Sequence, residues 1–329
     1  MLDIYTINLQ LFAEMNTNVT GDSGLSVENK THYDMTLIDE AAPQLVHDQF
    51  GQKRPIPKNG GKKIEFRKFA SLPKALTPLT EGVTPDGKKL SASKIEAEVK
   101  QYGDYVVLSD VLDLTAIDPI VVEATKVCGR QAGLTLDTIT RNILHTGTNV
   151  YYAPKGDGTA VSSRANLDAT CKLTVDVVKR VAAILKKNNA PKIDGSYVAI
   201  IHPFAAYDLM SDPEWINPHQ YQDTSNIYEG EIGKIAGVRF VETSEAKIYS
   251  GGVFGTLVLA DGAYGVTELT GGGLETIVKQ LGSAGVADPL NQRSSVGWKA
   301  TKTAEILVDA YMIRIEHKSS FTGNEIAEN

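Results

Sequence analysis

His202 stands directly after the apolar run Tyr197-Val198-Ala199-Ile200-Ile201, with Asp208 and Asp212 following on the same stretch. An imidazole beside two carboxylates is the one grouping in this sequence with the residue types for a metal site or an acid–base pair. No second ligand follows at a metal-binding spacing, so the favoured reading of His202 is a strand-end residue that hydrogen-bonds locally. HExxH, GxSxG, P-loop and GxGxxG patterns are absent from any usable context. Gly271-Gly272-Gly273 lacks the Lys and Ser/Thr of a phosphate cradle and reads as a turn. Cys128 and Cys171 sit in no CxxC or Cys/His pattern, which argues against a zinc site or a disulfide framework and for a reducing compartment. Trp215 with Tyr221 and Tyr228 has the composition of an aromatic patch, but Asp223, Glu229 and Glu231 around it oppose base stacking and favour core or subunit-contact roles. The sequons Asn18-Val19-Thr20 and Asn29-Lys30-Thr31 are discounted, because Met1 to Tyr5 lacks the basic and apolar regions of an export signal. The expectation is therefore a chain with no catalytic site, no cofactor and no metal.

The elements that would carry these residues are helices and strands intermixed. Residues 1–30 are rich in Asn, Thr, Ser and Gly without a sustained period and read as an extended arm that needs a surface to lie on. Leu37, Ile38, Ala41, Leu45 and Val46 share one face of a short helix over 35–50, interrupted by Pro43. From Gly60 the pattern alternates. Ile64, Phe66 and Phe69 mark one strand, and Ile95, Ala97 and Val99, continued by Tyr105 and Val107, mark its partner in a long hairpin. The tip, 71–91, holds Pro73, Pro78, Pro85, Gly82 and Gly87, which block regular structure; so long a loop is expected to be ordered by a partner. Asp118-Pro119 opens a helix predicted over 118–146, about 40 Å long at 1.5 Å per residue. Thr174 caps a second helix ending at Lys186-Lys187, and His202-Pro203 leads into a third over Phe204–Met210. Further strands are predicted over Gly237–Val241, Gly255–Leu259 and Glu305–Glu316, so the fold class is α+β.

The chain has 329 residues and a net charge of -7, which argues against a dedicated counterion-releasing DNA binder. Its longest uncharged apolar stretch, Ile248 to Ala260, is broken by Ser250-Gly251-Gly252 and is too short to cross a bilayer. Charge is unevenly placed. Residues 1–50 carry one base and eight acids, whereas 51–100 carry twelve bases and five acids. A basic segment thus follows an acidic arm, and the two can pair within one subunit or between neighbours.

This order of parts resembles the major capsid proteins of tailed bacteriophages with the HK97-type fold, and most nearly the N4-like major capsid family. The resemblance rests on Pro78-Leu79-Thr80-Glu81-Gly82-Val83-Thr84-Pro85, on Gln101-Tyr102-Gly103-Asp104-Tyr105 leading to Leu108-Ser109-Asp110, on the run Gly233 to Glu242, and on Gly297-Trp298-Lys299. Asn8-Leu9-Gln10-Leu11-Phe12-Ala13 is similar to the start of many capsid proteins from phages of Gram-positive hosts. It implies an N-arm over 1–50, an E-loop hairpin over 51–108, a P-domain over 109–170 with its spine helix at 118–146, an A-domain over 171–255, and return strands with a tail over 256–329. It also implies a shell protein of the virion, assembled in the host bacterial cytoplasm from many copies of itself as hexamers and pentamers around double-stranded DNA. The DNA would be contacted weakly and without sequence specificity, with no membrane contact, and scaffolding, portal and decoration proteins would be possible partners. By analogy the hairpin residues Lys62, Lys63, Arg67, Lys68 and Glu81 would lie over an adjacent subunit, meeting Asp34, Asp39, Glu40 and Asp48 of the arm. The arm starts so near Met1 that a separate scaffolding protein, or none, is expected, and no Lys–Asn crosslink is assigned. Two alternatives stand beside this: an encapsulin-type compartment, and a soluble enzyme built around His202 and Asp208.

Overall fold

The computed structural model describes residues 45–57, 61–69, 72, 74–79, 81–82, 84, 86–115, 119–215, 231–267, 273–283, 288–321 and 328–329. Lys63–Phe69 (β2) and Ala92–Glu98 (β3) form an antiparallel hairpin with Phe66 opposite Ile95. Alternation sorts its faces: Lys63, Glu65 and Arg67 face solvent, while Phe66 and Ala97 are buried. The Phe66 ring lies against Gly265, where a Cβ would come within 2.9 Å of it. This contact roots the hairpin on the body of the subunit. Phe66→Ala is expected to cost about 3–5 kcal/mol, seen as a lower melting temperature and faster proteolysis between residues 57 and 100.

The predicted second hairpin strand is two strands in the structure. The Val99 N–H donates to the Lys62 carbonyl at 2.9 Å and closes the hairpin, after which Lys100–Ser109 (β4) leaves β2 and pairs with Arg293–Ile306 (β13) over its whole length. Gly103 makes that close register possible, since a Cβ there would meet the Trp298 carbonyl oxygen at 2.6 Å. A short helix, Asp110–Thr115 (α1), follows where the sequence pattern indicates none; Ser109 Oγ accepts from the Leu112 N–H at its start.

The long helix runs Ile120–Leu144 (α2), within the predicted 118–146. Thr125, Cys128, Gly129, Ala132, Gly133, Leu136 and Thr140 are buried at helical spacing. The small residues among them let α2 lie close on β13, burying Cys128, Ala132 and Leu136 with Val296, Trp298 and Ala300. The predicted helix over 35–50 is not seen in its described part: 35–44 lie outside the described residues, and 47–50 form a turn. The polar groups of His47 go to tertiary partners instead. Its N–H donates to Asp137 Oδ1 at 2.7 Å and its carbonyl accepts from the Tyr264 hydroxyl.

Among the described residues the strands form three sheets. The hairpin is one. A second runs Gln52–Lys53 (β1), Tyr264–Thr267 (β11), β13, Glu275–Lys279 (β12), with β4 also on β13. The third runs Val150–Tyr152 (β5), Met312–His317 (β14), Val253–Leu259 (β10), Tyr197–Ile201 (β6), Val238–Glu242 (β8), Glu231–Ile235 (β7), with Ile248–Tyr249 (β9) on β10. Val175–Lys187 (α3), capped by Thr174, and Pro203–Met210 (α4) cover this sheet and bury the largest apolar cluster against it. The predicted strand over 305–316 is broken. The Leu307 and Val308 N–H groups both donate to the Ala263 carbonyl, a 3-10 turn follows over Asp309–Tyr311, and the chain passes from β13 in one sheet to β14 in the other.

Candidate functional site: assembly surfaces

Among the described residues no hydrogen bond joins His202, Asp208 and Asp212, although His202 and Asp208 both lie near His317. His202 caps α4, its Nδ1 accepting from the Phe204 N–H at 3.2 Å, and burial pushes its pKa down to about 4. Asp208 instead accepts from the Ser319 hydroxyl (2.8 Å) and the Ser320 N–H (2.9 Å). Asp212 accepts from the N–H groups of Val175 and Glu214, each at 3.0 Å. His202 thus caps its own helix, Asp212 caps α3 as well as its own turn, and Asp208 ties α4 to residues 319–320. Among the described residues no three His, Cys, Asp or Glu side chains converge on a metal-sized site. Trp215 is buried edge-on against Phe240, while Tyr221, Tyr228 and Gly271-Gly272 lie outside the described residues. Cys128 and Cys171 are free and buried, and among the described residues no helix is long and apolar enough to cross a membrane.

What the fold does present is surface made for contact. The solvent face of the hairpin is a charge ladder: Lys94 lies 2.6 Å from Glu96 and 3.5 Å from Glu65, Lys63 lies 3.9 Å from Glu96, and Arg67 lies 3.7 Å from Glu65. The Glu96 and Glu65 carboxylates hold the Lys94 ammonium above its ordinary pKa, and Lys94 in turn holds Glu96 below its own. Lys63 and Arg67 are therefore partly neutralised within the hairpin, and Lys62 and Glu81 are exposed beside it. The side chain of Lys68, and the whole of Asp34, Asp39 and Glu40, lie outside the described residues.

Beyond the ladder the hairpin tip displays apolar residues. Leu72, Leu76, Leu79 and Leu90 are 53–82% exposed. In α1, Val111, Leu112 and Leu114 face solvent and nothing in the helix is buried. Each is a large apolar side chain left in water by its own subunit. Sequence reasoning concentrated on the lysines and missed these leucines. Their signal was present as leucines recurring through a Pro- and Gly-rich stretch that has no core of its own.

Asp48, expected on the arm opposite a neighbour's lysines, has partners in its own subunit, where it pairs with buried Lys302 and accepts from the Thr140 hydroxyl at 2.6 Å. One residue earlier His47 Nδ1 meets Asp137 Oδ2 at 2.7 Å, both groups fully buried. The two adjacent residues lock the root of the arm to α2 and β13. Asp48→Ala is expected to cost about 3–5 kcal/mol by leaving Lys302 buried and uncompensated. The double variant with Lys302→Met is expected to recover part of it, and chemical denaturation of both checks this.

Comparison with known proteins follows the same line. A family model described as phage capsid protein matches residues 92–313. The fold is similar to the capsid of cyanophage P-SCSP1u, with a TM-score of 0.65 at 15% identity over 84% of this chain and 89% of that one. It is similar to the capsid of cyanophage Pam1, with a TM-score of 0.65 at 14% identity over 86% and 93%. It also resembles a virus-like particle from Pyrococcus furiosus, with a TM-score of 0.51 at 11% identity over 88% and 99%. No curated protein sequence matches it. The sheets, long helix and projecting hairpin are those of the HK97-type fold, and with the family model spanning well over half of its length, the chain belongs to the phage capsid protein family.

Proposed function

We propose that this chain is the major shell subunit of a tailed-phage head, related to the N4-like group. It self-assembles into hexamers and pentamers of an icosahedral virion shell around double-stranded DNA, in the cytoplasm of the host bacterium. In this reading residues 1–50 are the N-arm, the hairpin of β2 and β3 within 51–108 is the E-loop, the sheet against α2, which takes in β1 and β4, is the P-domain, and the sheet against α3 and α4 is the A-domain. The observation that carries the reading is the projecting hairpin with its exposed leucines. A two-stranded hairpin is marginal by itself in water and gains stability only by lying on another body. The contact is then isologous or heterologous among copies of one chain, as shells require.

Lys62, Lys63, Arg67, Lys68 and Glu81 steer the hairpin onto its neighbour, with Asp34, Asp39 and Glu40 of the arm as counter-charges. The leucines supply the contact area and the charges set register and on-rate. The net charge of -7 keeps contact with packaged DNA weak and indifferent to sequence. Scaffolding, portal and decoration proteins are the further partners of this reading.

Negative-stain microscopy of the purified chain tests it. Shells, tubes or capsomer rings are expected, and a lone monomer or dimer under crowding and with scaffold would overturn it. Replacing Lys62, Lys63, Arg67 and Lys68 together by Glu is expected to abolish regular particles while leaving the melting temperature of the subunit nearly unchanged; normal shells from that variant would remove the charges from the mechanism. The contents of particles recovered from infected cells separate a genome shell from an encapsulin-type compartment, which would hold protein cargo.

A further inference from the structure

We infer that the outer edge of β4 is a self-pairing surface, where β4 of a second copy of this chain adds antiparallel and extends the sheet across a two-fold axis. β4 has β13 on one side, and among the described residues no strand covers the other. The Asp110 N–H donates to the Gln292 carbonyl on the β13 side, while the Val99 N–H donates to the Lys62 carbonyl on the opposite side. By the two-residue period of a strand, the N–H and C=O groups of Gln101, Gly103, Tyr105, Val107 and Ser109 therefore point outward. Tyr105, Val106 and Val107 are 68%, 40% and 50% exposed. The usual guards of an edge are missing, since 101–109 contains no Pro or Lys and its register with β13 runs without a bulge. An unguarded apolar edge ten residues long calls for a strand as its occupant.

The edge is complementary to itself, as an isologous contact requires. With Tyr105 on the axis facing its own copy, Gln101 lies opposite Ser109, Gly103 opposite Val107 and Lys100 opposite Asp110, so an ion pair closes each end. The Tyr105 N–H, held by Asp104 Oδ1 at 2.8 Å in the single subunit, turns to the carbonyl of the partner's Tyr105. Asp104 accepts from Gln131 of α2 and Leu108 packs against that helix, so Tyr105 and the other odd-numbered residues lie on the sheet face away from it. On that face a depression of about 340 Å³ lies over Gly103, Ile277, Ser295 and Gly297. The bare backbone at the two glycines leaves room for the ring of the partner's Tyr105, which is within diagonal cross-strand reach of Gly103. A strand of unrelated sequence would meet the same backbone groups but not the reciprocal charges. The inference rests on the shell reading for its setting, a two-fold contact between capsomers, while its geometry asks for two copies alone.

The test is disulfide trapping in the full-length chain at the concentrations used for assembly. Tyr105→Cys is expected to link to its own copy under mild oxidation, because a hydrogen-bonded antiparallel pair sets its Cα atoms about 5.5 Å apart, within disulfide range. Lys179→Cys, on an exposed helix face, is the control, and the Tyr105→Cys yield is expected to exceed it severalfold. The native cysteines are both buried, which keeps the background low. In the double variant Gln101→Cys with Ser109→Cys, mass spectrometry is expected to find links from 101 to 109 and none from 101 to 101. Lys100→Glu is expected to lower the Tyr105→Cys yield severalfold, and Asp110→Lys added to it to restore the yield. Val107→Pro removes an outward N–H and spares the β13 ladder, so it is expected to abolish the link with the melting temperature of the subunit nearly unchanged. Tyr105→Cys links no more frequent than the control would overturn the inference, as would 101–101 links in place of 101–109. Regular particles from the unlinked variant would leave the shell reading standing, whereas linked dimers from a chain that forms no particles would overturn that reading and not this one.

Discussion

Acidification from pH 7 to pH 4 is expected to remove roughly 3 kcal/mol of subunit stability for each of His202 and His317, because both are buried as neutral rings. Burial holds the pKa of each down to about 4. His317 donates from Nδ1–H to the Lys318 carbonyl at 2.9 Å, its Nε2 accepts from the Thr256 hydroxyl at 2.9 Å, and its ring stacks on Phe254, with the Asp208 carboxylate and the His202 ring as the charge-bearing neighbours. Desolvation outweighs the Asp208 attraction, so the neutral form wins. The sign follows from the order of protonation. An unfolded histidine takes up its proton near pH 6.5, while these two resist until about pH 4, so their contribution is complete above pH 6.5, shrinks through that window, and is gone below it. His145, driven well below its ordinary value by burial and then by His47, Arg314, Arg141 and Lys247, adds in the same direction. Against a typical total of about 5–15 kcal/mol, this is a large fraction of the stability of the subunit. Chemical denaturation of the unassembled subunit from pH 8 to pH 4 checks it, with His317→Gln as comparison. An equal slope in both proteins would show that His317 does not carry the effect.

Glu316→Leu is the second large effect, expected at about 3–5 kcal/mol. Glu316 is fully buried in β14. It accepts from Arg164 at 2.5 and 2.7 Å and from Arg314 Nε at 2.9 Å. Arg314 also donates from Nη1 to the carbonyls of His145 and Gly147, and Arg164 lies 3.6 Å over the Tyr249 ring. One carboxylate therefore joins β14, the end of α2 and the loop before α3. Removing it strands a buried guanidinium, which is costlier than losing a surface pair. Glu316→Leu with Arg314→Met is expected to be milder than the single variant, as a double-mutant cycle would show. A single-variant loss below about 1 kcal/mol would mean that Arg314 finds water instead.

Most of the elements that could be read directly are those whose signal is local. The helix at Ile120–Leu144 repeats small and apolar residues every three or four positions, and α3 has its Thr174 cap and terminal lysines within its own turns. The run of five buried residues in β6 is uninterrupted, and Pro203 begins α4 where its missing N–H is harmless. Periodicity, caps and turn chemistry are written in neighbouring residues, so they survive without knowledge of the fold. The basic run over 51–100 was legible for the same reason, and so was the order of parts that resembles phage capsid proteins.

Other features belonged to contacts far apart in the chain. Val99 divides one alternating run into strands of two sheets because β4 finds β13 nearly two hundred residues later. The run over 305–316 turns a corner because two N–H groups converge on the Ala263 carbonyl. Asp48 turns inward to Lys302 across 254 positions, and Glu316 binds Arg164 across 152. Residue type alone cannot distinguish an acid exposed for a neighbour from one buried against its own cation, since the difference lies in desolvation and in which partner the fold brings within reach. The amino-acid sequence by itself determined the local elements, the charge segregation and the absence of a recognisable catalytic motif. The tertiary structure decided strand partners, the fate of individual carboxylates and which apolar residues stay exposed, because burial is a property of the whole packed chain.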